Sequence, residues 1–188
     1  MVTHPEGPQA PSVGEEDPNV LYIAAGKAIH SWEGLEQALA RLYLLFTGTD
    51  DLPDHYYAFG KKFGTTARRV TAVENAGNIF FARTVEPVAA GELSDILSEV
   101  DGLRIERHRI AHGSIATWGA ASIPTAPGAF EIQIKFQHRW APPFYGAAKL
   151  QTTIYGHDGA SIDAVTERFM RLHNRVHALT ECLRELAP

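Results

Sequence analysis

Apolar residues recur at steps of three and four along four long stretches of this chain, and that spacing restricts it to packed amphipathic helices. The first stripe is Trp32, Leu35, Leu39, Leu42 and Phe46, opened by Asp17-Pro18 as N-cap and first helical proline and closed near Gly48. Gly26 and Gly34 are expected to bend or interrupt that helix. Thr49 to Asp54, with Leu52-Pro53, reads as a loop. A second helix is expected from Thr65 or Thr66, burying Val70, Val73, Ala76 and Phe80, with Pro87 just past its end. A third runs from about Glu92 to His112, with Leu93, Ile96, Leu97, Val100, Leu103 and Ile110 inside and Gly113 as its stop. The last begins after Gly159 with Ser161 as cap, and carries Ile162, Val165, Phe169, Leu172, Val176, Leu179 and Leu183.

Between the third and last helices the period changes. Phe130, Ile132, Ile134 and Phe136 alternate with Glu131, Gln133, Lys135 and Gln137, the signature of a strand. Gln151 to Tyr155 is the expected partner, and Trp140 to Tyr145, with Pro142-Pro143, the loop between them. The expected fold is mainly α. It is a four-helix bundle at 17–188, with a small antiparallel β insertion at 114–158 between the third and last long helices. Residues 1–16 hold almost no large apolar side chain, so burial cannot offset their ordering entropy and a disordered tail is expected. Cys182, the single cysteine, excludes an internal disulfide and reads as a small buried apolar residue. No stretch approaches the roughly 18 apolar residues of a membrane span, and no secretory pattern opens the chain, so no membrane role and a cytoplasmic location are expected.

The net charge of -5 argues against a surface that coats long nucleic acids. Its distribution matters more. Glu6, Glu15, Glu16 and Asp17 fall in the first 19 residues without a single Lys or Arg. Without that segment the chain is nearly neutral, and its bases cluster: Lys61, Lys62, Arg68 and Arg69 in one run, Arg104, Arg107 and Arg109 in another. Such local sites can hold a few phosphates.

The second run carries the chemistry. Each helical residue turns about 100°, so Arg104, His108 and His112 stack along one face, with Arg107 and Arg109 to either side. Arginine remains charged and grips phosphate bidentately, and histidine exchanges protons near neutral pH. RNA transesterification needs these parts: a base for the 2′-hydroxyl proton, a cation for the phosphorane, and an acid for the leaving 5′-oxygen. The plain alternative is a solvated helix end, where cations also favour the dipole.

Arg107-His108-Arg109-Ile110-Ala111-His112-Gly113, closing a helix in a mainly helical chain, resembles the signature of the HEPN family: Arg, a polar residue, a short spacer and His. The first helix with its Trp32-Glu33 pair, and a closing helix after a Pro-rich insert, are similar as well. The likeness extends over about Val20 to Leu186, and its specific part is the seven-residue core. The resemblance implies a helical bundle that dimerises with two motifs facing one another, acting as a metal-independent endoribonuclease. Such enzymes serve toxin–antitoxin, phage-defence and RNA-processing systems, so RNA and a cognate antitoxin or regulator are the implied partners. It gives His112 proton transfer, Arg107 phosphate binding and His108 a polar supporting role. Arg104, Arg109, Lys61 and Lys62 are the further phosphate contacts expected. Ser114 stands where one subgroup has a Tyr that becomes nucleotidylated, so that control is not implied here. Other family members bind RNA or proteins without cleaving, which supplies the alternative function.

A metal site is the remaining alternative. His108 and His112 are four apart, as are His173 and His177, but Arg109 stands where a zinc-protease helix has Glu, and arginines beside the first pair disfavour a cation. No phosphate-loop pattern surrounds Gly26 or Gly128, and no cofactor is expected. Tyr56, Tyr57, Phe59 and Phe63 beside Lys61-Lys62 read as the edge of the core or as a stacking surface for bases. Trp140, Phe144 and Tyr145 read as packing that pins the insertion to the bundle.

Overall fold

The computed structural model describes residues 14–49, 52–84, 86–122, 133–141 and 157–185. Among them the elements run α1 (Pro18–Thr47), α2 (Pro53–Lys62), α3 (Thr66–Phe81), α4 (Pro87–Ala111), β1 (Ser114–Ser122), β2 (Gln133–Ala141) and α5 (Gly159–Arg184). The chain is therefore mainly helical with one small antiparallel sheet. It divides into two compact units, Ile29–Arg107 with Val165–Pro188, and Met1–Ala28 with His108–Ala164.

In the first of these units the expected stripes of α1, α4 and α5 are the core, whereas on α3 Val73 and Ala76 are buried and Val70 and Phe80 only partly so. Trp32, Leu35, Leu39, Leu42 and Phe46 of α1 are buried, as are Leu93, Ile96, Leu97, Val100 and Leu103 of α4 and Phe169, Leu172, Val176, Leu179 and Leu183 of α5. Trp32 meets Phe169 edge to face at 4.9 Å between ring centroids, and Phe46 packs on Phe80 and Phe81. Thr65 caps α3, its hydroxyl accepting from the Arg68 N–H. Thr66 and Arg69 hold the buried Glu36 of α1: the threonine hydroxyl donates to Oε1 at 2.8 Å and the guanidinium pairs with Oε2. Arg175 of α5 bridges Glu92 at 2.8 Å and Glu99 at 2.9 Å on α4. The hydrogen bond from Arg175 holds the Glu92 carboxyl below its ordinary value of 4.5.

Several expectations change here. α1 is continuous through Gly26 and Gly34, because the packing of its stripe outweighs the roughly 1 kcal/mol per glycine in propensity. Pro53, expected within the loop at Thr49 to Asp54, instead opens α2, a fifth helix that a four-helix bundle lacks. Only Phe59 of its ten residues is buried, too few for an apolar period to register. α4 starts at Pro87 rather than near Glu92, with proline at its first position. Its opening turn shows Val88 at 84% exposure, so periodicity begins only at Leu93. Cys182 is exposed, one position off the line of Leu179 and Leu183.

In the second unit β1 and β2 pair antiparallel from Ser114↔Ala141 to Ser122↔Gln133. β1 escaped the sequence reading because Ser114 to Ser122 is mostly small residues without alternation. The other edge of β2 is met by single bridges, Glu15↔His138 and Trp140↔His157. Trp140 is thus a strand residue rather than part of a loop. Phe130 to Ile132, Pro142 to Tyr145 and the expected partner strand Gln151 to Tyr155 lie outside the described residues, as do residues 1–13 of the expected tail. Gly14 to Glu16, which composition assigns to that tail, include a fixed point: Glu15 exchanges two backbone hydrogen bonds with His138 and accepts from the Gly159 N–H at 2.9 Å. Asp158, not Ser161, caps α5, taking the Ser161 N–H at 2.7 Å. No helix among the described residues is long and apolar enough to cross a membrane.

Candidate functional site

The boundary between the units falls between Arg107 and His108, so the two halves of the motif are described in turn. His108 and His112 project from consecutive turns at the end of α4, both exposed, with ring centroids 4.6 Å apart and planes tilted by 54°. The His112 N–H closes the helix on the His108 carbonyl at 3.1 Å. Beneath them Ile110 is buried at 1% exposure, and its carbonyl accepts the Trp140 indole N–H at 3.0 Å. That bond ties β2 to the helix end and agrees with reading Trp140 as a pin. Gly113 does not stop the helix through a left-handed conformation, since the one positive-φ glycine among the described residues is Gly48. It leaves room instead: a Cβ there would collide with the Trp140 indole and lie 2.7 Å from the Ala141 carbonyl oxygen. Arg109 is exposed on the same turn.

In the other half, Arg107 is half-buried, its side chain 30% exposed, and its terminal NH2 nitrogen lies 3.5 Å from Glu33 of α1. Its Nε is buried with no hydrogen-bond partner among the described residues, as is the Trp32 indole nitrogen. Arg104 is exposed and pairs with Asp101 one turn back at 2.7 Å. Glu33 is the neighbour of Arg107 that helical spacing did not place there. The Trp32-Glu33 pair held the signal, because burying Trp32 fixes the direction of the residue beside it.

No protein-family model, curated protein or solved structure matches the chain.

The remaining expected site residues occupy other elements. Lys61 and Lys62 end α2, both exposed, with the Lys62 ammonium 5.2 Å from the Phe63 ring centroid. Of the neighbouring aromatics, Phe59 is buried against Tyr43 and Phe63, Tyr56 accepts a hydrogen bond from Arg41, and Tyr57 is 72% exposed. The segment is thus chiefly a core edge with one open aromatic. His173 lies against Gly34, whose added Cβ would stand 3.4 Å from the imidazole Nδ1. Among the described residues no group of three His, Cys, Asp or Glu is placed to hold a metal ion.

One half offers two adjacent imidazoles in contact with solvent, and the other a half-buried guanidinium beside a carboxylate. Imidazoles can transfer protons, and guanidinium can bind an oxyanion. The Glu33 carboxylate already faces the Arg107 guanidinium.

Proposed function

We propose that this protein is a HEPN-like helical domain acting as a metal-independent endoribonuclease in the cytoplasm. The observation that carries the reading is the exposed, adjacent His108–His112 ring pair at the end of α4, following a half-buried Arg107 in the chain. His112 takes the proton from the 2′-hydroxyl as that oxygen attacks phosphorus. Arg107 binds the phosphorane oxygens, with Arg104, Arg109, Lys61 and Lys62 gripping flanking phosphates. His108 orients and polarises the neighbouring ring. The 5′-oxygen leaves with a proton from a second acid, which a two-fold partner's copy of the motif supplies in a homodimer. The products are a 2′,3′-cyclic phosphate and a 5′-hydroxyl. A small RNA-cleaving domain of this kind suits a toxin or phage-defence system restrained by a cognate antitoxin or regulator.

The Glu33–Arg107 pair favours a second reading, a non-catalytic module that binds RNA or protein through the same face, because the carboxylate already occupies part of the phosphate grip. One experiment separates the two. Purified protein, Arg107→Ala and His112→Ala are incubated with mixed RNA in chelator, and binding and cleavage are read together. The nuclease reading expects chelator-resistant cleavage that both substitutions abolish. Binding without cleavage supports the module, and chelator-sensitive cleavage overturns both in favour of a metal-binding bundle.

A further inference from the structure

An open hollow of about 380 Å³ lies on α3, lined by Phe63, Ala67, Arg68, Thr71, Ala72 and Asn75. Its walls combine an aromatic ring, small apolar side chains, two neutral polar groups and a guanidinium. The Phe63 ring is half-buried, and edge-to-face contacts with Tyr43 at 5.6 Å and Phe59 at 5.2 Å fix its orientation.

The basic side chains at the hollow differ from the paired arginines of this unit. Arg69, Arg104, Arg107 and Arg175 each face a carboxylate. Among the described residues Lys61, Lys62 and Arg68 face none, and all three are exposed. Arg68 lines the hollow, and the Lys62 ammonium stands 5.2 Å from the centroid of its aromatic ring.

The position of the hollow relates it to Arg107, which belongs to the same unit. Its neighbours Thr66 and Arg69 are tied to Glu36 of α1, and the Arg69 Nε–H also donates to the Phe63 carbonyl at 3.1 Å. Arg107 is tied to Glu33 of the same helix. Glu33 and Glu36 are three residues apart, about 4.5 Å of helical rise. The mouth of the hollow and the phosphate-binding arginine are therefore anchored within one turn of each other on α1.

We infer that this hollow binds a nucleotide of single-stranded RNA flanking the one held at Arg107, which rests on the RNA reading above. The base stacks on Phe63, Asn75 and Thr71 offer hydrogen bonds to its edge, and Arg68 and Lys62 hold the adjoining phosphates. Stacking of this kind tolerates any base, so the hollow extends the footprint and adds affinity without strict sequence choice.

The test uses the full chain carrying His112→Ala, so that RNA stays intact, and a fluorescein-labelled mixed-sequence RNA of about eight nucleotides. Adding Phe63→Leu should weaken binding by roughly 5- to 160-fold, the range for losing one base–aromatic stack. Adding Arg68→Glu, at an exposed position that folding does not need, should weaken it at least about tenfold. It should also flatten the salt dependence by about 0.7 in slope, the loss of one phosphate contact. Lys27→Glu makes the same charge change on an exposed turn of α1 outside the hollow and should leave affinity unchanged. Photo-crosslinking with 4-thiouridine RNA should label the peptide spanning Phe63 to Asn75. Unaltered affinity in Phe63→Leu and Arg68→Glu, with the parent still binding, overturns the hollow and leaves the nuclease reading standing. Equal weakening by Lys27→Glu overturns it as a bulk-charge effect. Binding at the hollow by a native chain that never cleaves supports the hollow and removes the nuclease, whereas no RNA binding by the parent removes both.

Discussion

Replacing Arg107 by lysine should make the protein more stable while making it worse at its work. In arginine the fourth side-chain position is the Nε–H, here buried and unpartnered; in lysine it is a methylene. An unsatisfied buried donor costs about 1–3 kcal/mol. The side chain keeps 30% of its surface in solvent, which places the cost at the lower end. The substitution retains the positive charge, so the attraction to Glu33 and to the α4 C-terminal dipole persists, and Arg and Lys have similar helix propensities. The expected net gain is about 1 kcal/mol, or roughly 2–4 °C in Tm for a chain of this size. RNA binding and turnover should both fall, because an ammonium lacks the planar fork. Thermal and urea unfolding by circular dichroism, read beside cleavage, check the pair of effects. A loss of about 1 kcal/mol or more on Arg107→Lys would show that the buried Nε is not an uncompensated cost, and the reasoning would fail.

Gly113→Ala should destabilise by about 1–3 kcal/mol, the usual range for overpacking, and urea unfolding with indole fluorescence should show Trp140 displaced. Glu36→Ala should cost about 2–4 kcal/mol, at the moderate end because Arg69 keeps 20% of its side chain in solvent; unfolding of the Arg69→Leu, Glu36→Leu double variant should recover much of the loss. Glu92 has a lowered carboxyl pKa because Arg175 favours its charged form, so its contribution is complete above the ordinary 4.5 and disappears as pH falls through the lowered value. Both groups are more than a third exposed, so Glu92→Gln should cost less than about 1 kcal/mol at pH 7, with wild type and variant converging in acid unfolding curves.

The sequence reading succeeded where burial dominates. Trp32 to Phe46, Leu93 to Ile110 and Ile162 to Leu183 show a long apolar period, and those positions are the core. It lost elements that do not need a period. α2 buries a single residue and follows from Pro53 and its tertiary contacts. β1 is built from small residues whose strand state comes from pairing with β2. The Arg-His motif was legible because helical spacing alone sets His108 beside His112. Glu33 at Arg107, Glu15 at the start of α5 and the need for glycine beneath Trp140 are contacts between segments distant in sequence. Local spacing, even at Trp32-Glu33, does not say which distant segment each will meet.

The chemistry of the cut ends tests the central claim most directly. A defined RNA, cleaved in chelator, is compared with the same strand carrying one 2′-deoxy nucleotide at the cleaved position, and product ends are identified by mass. The account predicts 2′,3′-cyclic phosphate and 5′-hydroxyl ends, no cut at the deoxy position, and a rate lowered by roughly 10² to 10⁴ in His112→Ala. Cleavage at the deoxy position, or 5′-phosphate ends that vanish with chelator, would contradict it.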